Sequence, residues 1–254
     1  MKKPTFSIIT ITFNAEKYLE RTLKSIQAQD CKDFEYLLID GNSKDKTLAI
    51  AKNYQNLFTK IISEPDKGLY DAMNKGLKNA QGEFVWFINA GDEIADNEAI
   101  SKIKNLIDEA TDVLYGETYF VNNNGEILGL RSELTPHRLP EKLHWQQMKY
   151  GMLVCHQSFI ARRTIAPFFD ISNLSADLDW EIQCLKNARK TVFLDFIVSK
   201  YLIGGISNQQ LKRSLIDRFK VLSKHFGLFS CLIAHLIIVF RGIRKIIRQG
   251  GKYW

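Results

Sequence analysis

The chain has 254 residues, 45% of them hydrophobic and 25% charged, the balance of an ordinary folded protein, so disorder is not the default and one large α/β domain with a short appendage fits the length. Cys31, Cys155, Cys184 and Cys231 lie far apart without a CxxC pair, which argues against a disulfide framework or zinc knuckle and for reduced thiols in a cytoplasmic setting. The net charge of +7 is concentrated: from Lys212 onward ten Lys or Arg face one acid, Asp217, so the basic excess is a local device and not a general affinity for polyanions.

The opening MKKPTFSIITITFN places two lysines before an apolar run, as a secretion signal does. That run is short, β-branched and followed by Asn14 and Glu16 instead of a small-residue cleavage site, so Phe6–Phe13 is read as a buried parallel strand. Asn14 is expected to cap a helix whose Tyr18, Leu19, Thr22, Leu23 and Ile26 share one face. Strand and helix signals then alternate: a strand at Phe34–Ile39, a helix at Leu48–Tyr54, a short strand at Lys60–Ile62, a helix at Leu69–Ala80 and a strand at Phe84–Ile88. This order implies a mostly parallel sheet with helices on both faces. Farther on, Val113–Tyr119 and Glu126–Leu130 flank a hairpin turn, and Pro136, Pro140 and Trp145 mark a stretch without clear periodicity. Val154–Ala161 and Val192–Phe196 read as strands, Asp179–Ala188, Gln209–His225 and Leu228–Arg248 as helices.

In open sheets of this kind, ligands sit beyond the carboxyl ends of the strands. Three such ends carry polar residues: Thr12 and Asn14, then Asp40, then Asn89 and Asp92. Asp40-Gly41-Asn42 suits a tight turn whose acid can accept N–H groups of a nucleobase, and it equally suits a turn that leads into the next helix. Asn89-Ala90-Gly91-Asp92-Glu93 offers hard oxygen ligands to a divalent cation, or is a solvated acidic loop. Ser175-Ala176-Asp177-Leu178-Asp179 can present a general base to a cleft, or simply cap a helix.

Together these segments resemble the inverting glycosyltransferases of family 2, which have the GT-A fold. The resemblance spans roughly residues 4–205 and is most specific over residues 4–95. FSIITITFNAEKYLERTLKSIQAQ is similar to the family's first strand and helix, LLIDGNSKDKT to its acid-bearing second strand end, and SEPDKGLYDAMNKGLKNAQGEFVWFINAGDE to its central stretch. The resemblance implies a nucleoside-diphosphate sugar donor held by Thr12, Asn14, Asp40, Asp71, Asn74 and Asn89. It implies Mn²⁺ or Mg²⁺ on Asp92, with Glu93 as a helper, and a single displacement with Asp177 as base and Asp179 as its competitor. His156, in Cys155-His156-Gln157-Ser158, is an acceptor-side candidate that could also face the metal, and it reads equally as a packed strand histidine. Three departures stand out: Asn89 replaces the first acid of the metal motif, Ala176 the acid before the base, and Met73 an arginine, whose role would fall to Lys67 or Lys75.

The expected organisation is a GT-A domain at 1–208, with a donor half to about residue 95 and an acceptor half to 208, then a basic and apolar tail at 209–254. Residues 225–240 contain no Asp, Glu, Lys or Arg, and Arg241, Arg244, Lys245, Arg248 and Lys252 follow. A spanning helix needs about 20 apolar residues, so the tail is expected to lie on an anionic membrane at the cytoplasmic face of the inner membrane, the alternative being a helix folded over the domain or a dimer contact. The acceptor is then a saccharide or lipid-linked saccharide of the kind used in bacterial surface-polysaccharide assembly. Nucleic acid is not an expected partner. Two other readings stay open: a sugar nucleotidyltransferase, although the first strand end lacks a Gly-rich phosphate loop, and a non-catalytic saccharide-binding or scaffolding protein.

Overall fold

The structure, a computed structural model, describes residues 3–204 and 210–248. The expected boundary at 208/209, the helix start at Gln209 and Lys252 fall outside the described residues.

The first half alternates β1 (Phe6–Thr12), α1 (Leu19–Gln27), β2 (Phe34–Asp40), α2 (Thr47–Asn53), β3 (Lys60–Ser63), α3 (Leu69–Asn79) and β4 (Phe84–Phe87). These strands pair in parallel in the order β3-β2-β1-β4. Both faces of the strands are covered, and the period-2 alternation divides their side chains cleanly. Ile9, Ile11, Leu37, Ile39, Val85 and Phe87 pack under α3, while Phe6, Ile8, Tyr36, Leu38, Phe84 and Trp86 pack under α1 and α2. Helix α3 lies close enough that a Cβ on Gly76 would come within 2.6 Å of Ile9 Cγ2.

Beyond β4 come β5 (Glu93–Ile94), α4 (Ala99–Asn105), β6 (Thr111–Val121), β7 (Ile127–Leu130), α5 (Arg131–Leu134), β8 (Phe159–Arg162), α6 (Ala176–Asn187) and β9 (Lys190–Leu202). Strand β8 joins β4 and β6 antiparallel, β6 and β9 run parallel, and β5 and β7 close edges antiparallel. The sheet is therefore parallel through its first half and mixed in its second.

Several sequence expectations need adjustment. The strand expected at Val154–Ala161 forms only from Phe159, because a 3₁₀ turn at His156–Ser158, closed by Ser158 N–H to Cys155 O at 2.8 Å, breaks its first half. Asn14 does not cap α1; the first turn closes on Ala15 O, and Asn14 instead adopts a left-handed φ of 48°. Strand β9 runs 13 residues, well past Phe196, because its pairing with β6 continues across irregular steps to Leu202.

The C-terminal helices are α7 (Leu211–Phe226) and α8 (Leu228–Arg248), separated by Gly227 at φ 79°. Helix α7 packs on the domain: Val221 and Leu222 are buried in the core, and Phe226 stacks on Trp145 at 5.5 Å.

Candidate functional site

The carboxyl ends of β1 and β2 make the first wall. Thr12 and Asp40 are paired in register, so their side chains stand side by side. Asp40 is fully buried; Ser43 N–H (3.0 Å) and Ser63 Oγ (2.6 Å) donate to Oδ2, and Ser43 Oγ donates to Oδ1 at 2.5 Å. The acid thus organises the loop that follows β2. Thr12 Oγ1 is buried and finds no partner among the described residues.

The two strand-end loops are laced together. Ser43 Oγ accepts from Asn14 N–H at 2.8 Å, Asn14 Oδ1 accepts from Lys44 N–H at 2.9 Å, and Thr47 Oγ1 accepts from Ala15 N–H at 2.8 Å. Asp45 Oδ2 takes Glu16 N–H at 3.0 Å and Glu16 Oε2 returns to Lys46 N–H at 2.9 Å. Asn14 and Asn42 hold left-handed φ of 48° and 66°, conformations that asparagine tolerates better than most residues. A Cβ on Gly41 would collide with the Asp66 carboxylate and come within 3.3 Å of the Phe13 ring. Phe13 itself is 64% exposed, a large aromatic face beside this turn that its place between Thr12 and Asn14 could have flagged in the sequence.

Asp71 accepts from Lys67 N–H at 2.9 Å at the start of α3. Asn74 is committed elsewhere: its amide donates to Phe169 O at 2.9 Å and accepts from Phe169 N–H at 2.7 Å, clamping α3 to the loop that leads into α6. Lys75 Nζ reaches Glu64 at 2.9 Å and Pro65 O at 2.7 Å.

Asp92 follows β4 on a turn in which its N–H bonds Asn89 O at 2.9 Å, and it is 4% exposed. Gln157 Nε2 donates to Oδ2 at 2.8 Å and Leu202 N–H to Oδ1 at 2.9 Å, so the 3₁₀ turn and the end of β9 converge on it. Burial pushes its carboxyl up to about 7, against the pull of those N–H groups. Asn89 Oδ1 is another buried acceptor with no donor among the described residues. Glu93 faces Lys200 at 3.4 Å. Among the described residues no group of three or more His, Cys, Asp or Glu could hold a metal. One carboxylate and one amide oxygen nevertheless fit Mg²⁺ or Mn²⁺ that arrives with a diphosphate, because such ions keep waters and phosphate oxygens as ligands.

Asp177 and Asp179 occupy the first turn of α6 in opposite settings. Asp179 is 5% exposed and fully engaged: His225 Nε2 lies 2.5 Å and Lys224 Nζ 3.1 Å away, and Gln183 donates at 2.8 Å. Burial raises its carboxyl, but His225 and Lys224 outweigh that and hold it below the usual carboxylate range. Asp177 is half-buried and carries no such clamp. Burial pushes its carboxyl up, opposed by Leu178 N–H, the Arg218 charge and the Tyr70 hydroxyl. Tyr201, at the end of β9, has its hydroxyl raised by burial and then by the charges of Asp92, Cys155 and Asp177.

His156 is enclosed by aromatic rings. It is 5% exposed, stacked on Phe87 at 5.3 Å, with Trp180 and Phe169 edge-on, and burial drives its imidazole down to about 3.

A model of "Glycosyl transferase family 2" matches residues 7–166, from the first strand through β8. The chain belongs to glycosyl transferase family 2. This glycosyltransferase is 31% identical over 260 residues to a "PGL/p-HBAD biosynthesis glycosyltransferase" of Mycobacterium bovis, covering 98% of the chain and 94% of the relative. It is 27% identical over 242 residues to an uncharacterized glycosyltransferase of Methanocaldococcus jannaschii, covering 89% and 81%. The structure of S. aureus TarS 1–349 with UDP-GlcNAc superposes with a TM-score of 0.69 at 26% identity; the match covers 85% of this glycosyltransferase and 64% of that chain. A Pyrobaculum calidifontis mannosyltransferase, solved with GDP-Man and Mn²⁺, shares the fold, with a TM-score of 0.62 at 15% identity, covering 92% and 74%. The GT-A architecture and glycosyl transfer thus hold for this protein at the level of its family.

Proposed function

We propose that the enzyme moves a sugar from a nucleoside-diphosphate donor to a hydroxyl of a saccharide or lipid-linked saccharide, with inversion, and that Asp177 is the base. The observation that carries this reading is the division of labour on α6: Asp179 is locked by His225 and Lys224, while Asp177 stays unclamped. A base near the operating pH is the more effective one, and burial moves Asp177 in that direction. Tyr70, whose hydroxyl donates to Leu174 O at 3.1 Å, acts to lower the Asp177 carboxyl against the rise from burial.

On the donor side, Phe13 offers a stacking face for the base, and Thr12, Asn14 and the Asp40 turn form the wall behind it. Asp71 at the start of α3 is assigned to the sugar. The structural neighbour bound to UDP-GlcNAc supports a uridine nucleotide as the first donor to try. Asp92 and Asn89 would hold a divalent cation, which when bound neutralises charge on the departing diphosphate. The neighbour solved with Mn²⁺ supports that use.

Helix α8 presents Leu228, Phe229, Leu232, Ile233, Leu236 and Phe240 to solvent along one side, while Cys231 and Ala234 face the protein. No helix among the described residues is long and apolar enough to cross a membrane. An apolar stripe on a basic segment suits the surface of an anionic bilayer, which supports peripheral attachment at the cytoplasmic face and an acceptor presented there.

The test is a donor panel read by nucleoside diphosphate release, with and without Mn²⁺ or Mg²⁺, and NMR of the first-formed product. Asp177→Asn is expected to lower kcat by about 10²–10⁴-fold with the fold intact. A product of retained configuration, or an active Asp177→Asn enzyme, would overturn the mechanism. Turnover unaffected by a chelator would remove the metal from Asp92.

A further inference from the structure

Beneath the base lies a second carboxyl that the transfer reaction does not use. Glu181 is fully buried one helical turn after Asp177, and neither of its oxygens finds a hydrogen-bond partner among the described residues. Both ring nitrogens of His156 are equally without partners, and Nδ1 stands 3.8 Å from Glu181 Oε1, too far for a hydrogen bond. Four orphaned polar atoms therefore meet in one place. Phe87, Phe169 and Trp180 wall the imidazole with ring-to-ring distances of 5.3, 5.7 and 5.3 Å.

We propose that Glu181 is a positioning residue for the base: kept as a neutral carboxylic acid against the His156 imidazole, it leaves Asp177 the single negative charge on its side of α6 and sets the upper pH edge of transfer. The proposal rests on the reading of Asp177 as base.

Aromatic walls supply no dipoles to replace water around an ion, so an unpaired charge buried there neutralises. A protonated Glu181 has one O–H to give, and a neutral imidazole has one nitrogen to receive it. A small side-chain rotation closes the 3.8 Å gap between them. The same wall opposes the alternative arrangement, carboxylate against imidazolium. Burial accordingly holds Glu181 well above the usual carboxylate range, with the Asp177 charge adding to the rise and Arg131 reducing it.

The groups that face this pair come from every packed element. The Arg131 charge on α5 acts on Glu181, but its guanidinium donates to Leu153 O at 2.7 Å and Met152 O at 2.5 Å and does not bond Glu181. Tyr70 on α3, Arg218 on α7 and Tyr201 on β9 act on Asp177, and Cys184 on α6 has its thiol raised by burial and by Glu181. Side chains four apart on a helix stand about 5–6 Å apart at Cβ. Ionisation of Glu181 at high pH would therefore put a second negative charge next to Asp177 and the departing diphosphate. Two carboxylates that close titrate as a pair, and one of them keeps the proton.

The experiment compares the wild-type enzyme with Glu181→Gln, a permanently neutral isostere, and with Glu181→Met, which preserves packing. Infrared difference spectra at neutral pH read the carbonyl stretch of a protonated carboxyl, and kcat/KM is measured over about pH 5 to 10. The wild-type-minus-variant spectra are expected to show a protonated-carboxyl band that both variants have lost, beside any band from Asp92, which they keep. Both variants should keep kcat/KM within roughly threefold of wild type at neutral pH. Their alkaline decline should move up by roughly one pH unit or more. A wild-type-minus-Glu181→Gln difference spectrum without that band, a pH profile that superimposes on wild type, or a folded Glu181→Gln enzyme inactive at neutral pH would each overturn the proposal. Failure of the base reading shows separately, as an Asp177→Asn enzyme that still transfers sugar.

Discussion

Asp177 and Asp179 differ by two positions in sequence and by their whole surroundings in space. The partners that divide them, Lys224 and His225, lie 45 and 46 residues away, which is why spacing alone left the two acids as competitors. Buried His156 is a second example: its neighbours Phe87, Phe169 and Trp180 come from three separate elements, and nothing local marks it as enclosed. Phe13, by contrast, reads in the sequence as the last residue of a buried strand, whereas it lies just past Thr12 and is exposed. Loss of a base-stacking ring costs about 1–3 kcal/mol, so Phe13→Ala is expected to weaken nucleotide binding about tenfold in isothermal titration with circular dichroism unchanged. The pH dependence of stability has two opposing parts at this scale. His156 is lowered from 6.5 to about 3, so the unfolded chain takes up a proton that the native protein refuses, and its contribution is lost as pH falls from 6.5 toward 3. Glu181 is raised above 4.5, so the native protein keeps a proton that the unfolded chain releases, and stability declines as pH rises past that value. Urea midpoints of Glu181→Gln should therefore exceed wild type by more at pH 8 than at about pH 5.

At the scale of elements, the alternation from β1 to β4 was readable because buried parallel strands and amphipathic helices imprint their periods on the sequence. Helix α4 and strand β5 were missed: each is short, and β5 exists only through pairing with β9. The half-formed β8 follows from Gln157, whose side chain leaves the strand direction to reach Asp92. Close approach of α3 to β1 makes a sharp prediction. Gly76→Ala places a methyl against Ile9 and should destabilise by about 1–3 kcal/mol in chemical denaturation. The α6–α7 clasp makes another. Asp179→Ala leaves His225 without its carboxylate in a nearly closed site and should cost about 3 kcal/mol. Because the lowered Asp179 contributes above its unfolded value of 3.8 and loses its effect as pH falls through the lower folded one, that penalty should shrink in strong acid.

Over the whole molecule, the charge asymmetry noted in the composition acquires a place. The chain up to residue 211 is almost neutral, and the basic excess sits on α7 and beyond, on the same helical pair that exposes the apolar stripe. Sequence reading could see the stripe and the charges but could not tell packing from membrane attachment; α7 packs on the domain, and the outward side of α8 is left uncovered. Replacing Phe229, Leu236 and Phe240 together by Ser should abolish co-sedimentation with anionic vesicles while leaving transfer to a water-soluble acceptor intact. Equal sedimentation by both forms would remove the bilayer as partner.

The lacing of the two strand-end loops also bears on how this enzyme could be altered. Residues 13–17 and 41–47 exchange hydrogen bonds in both directions, so each loop is the template on which the other is shaped. Donor preference is then inherited as a two-loop cassette. A graft of residues 41–47 from a relative with a different nucleotide should fail alone and succeed when residues 13–17 of the same relative travel with it.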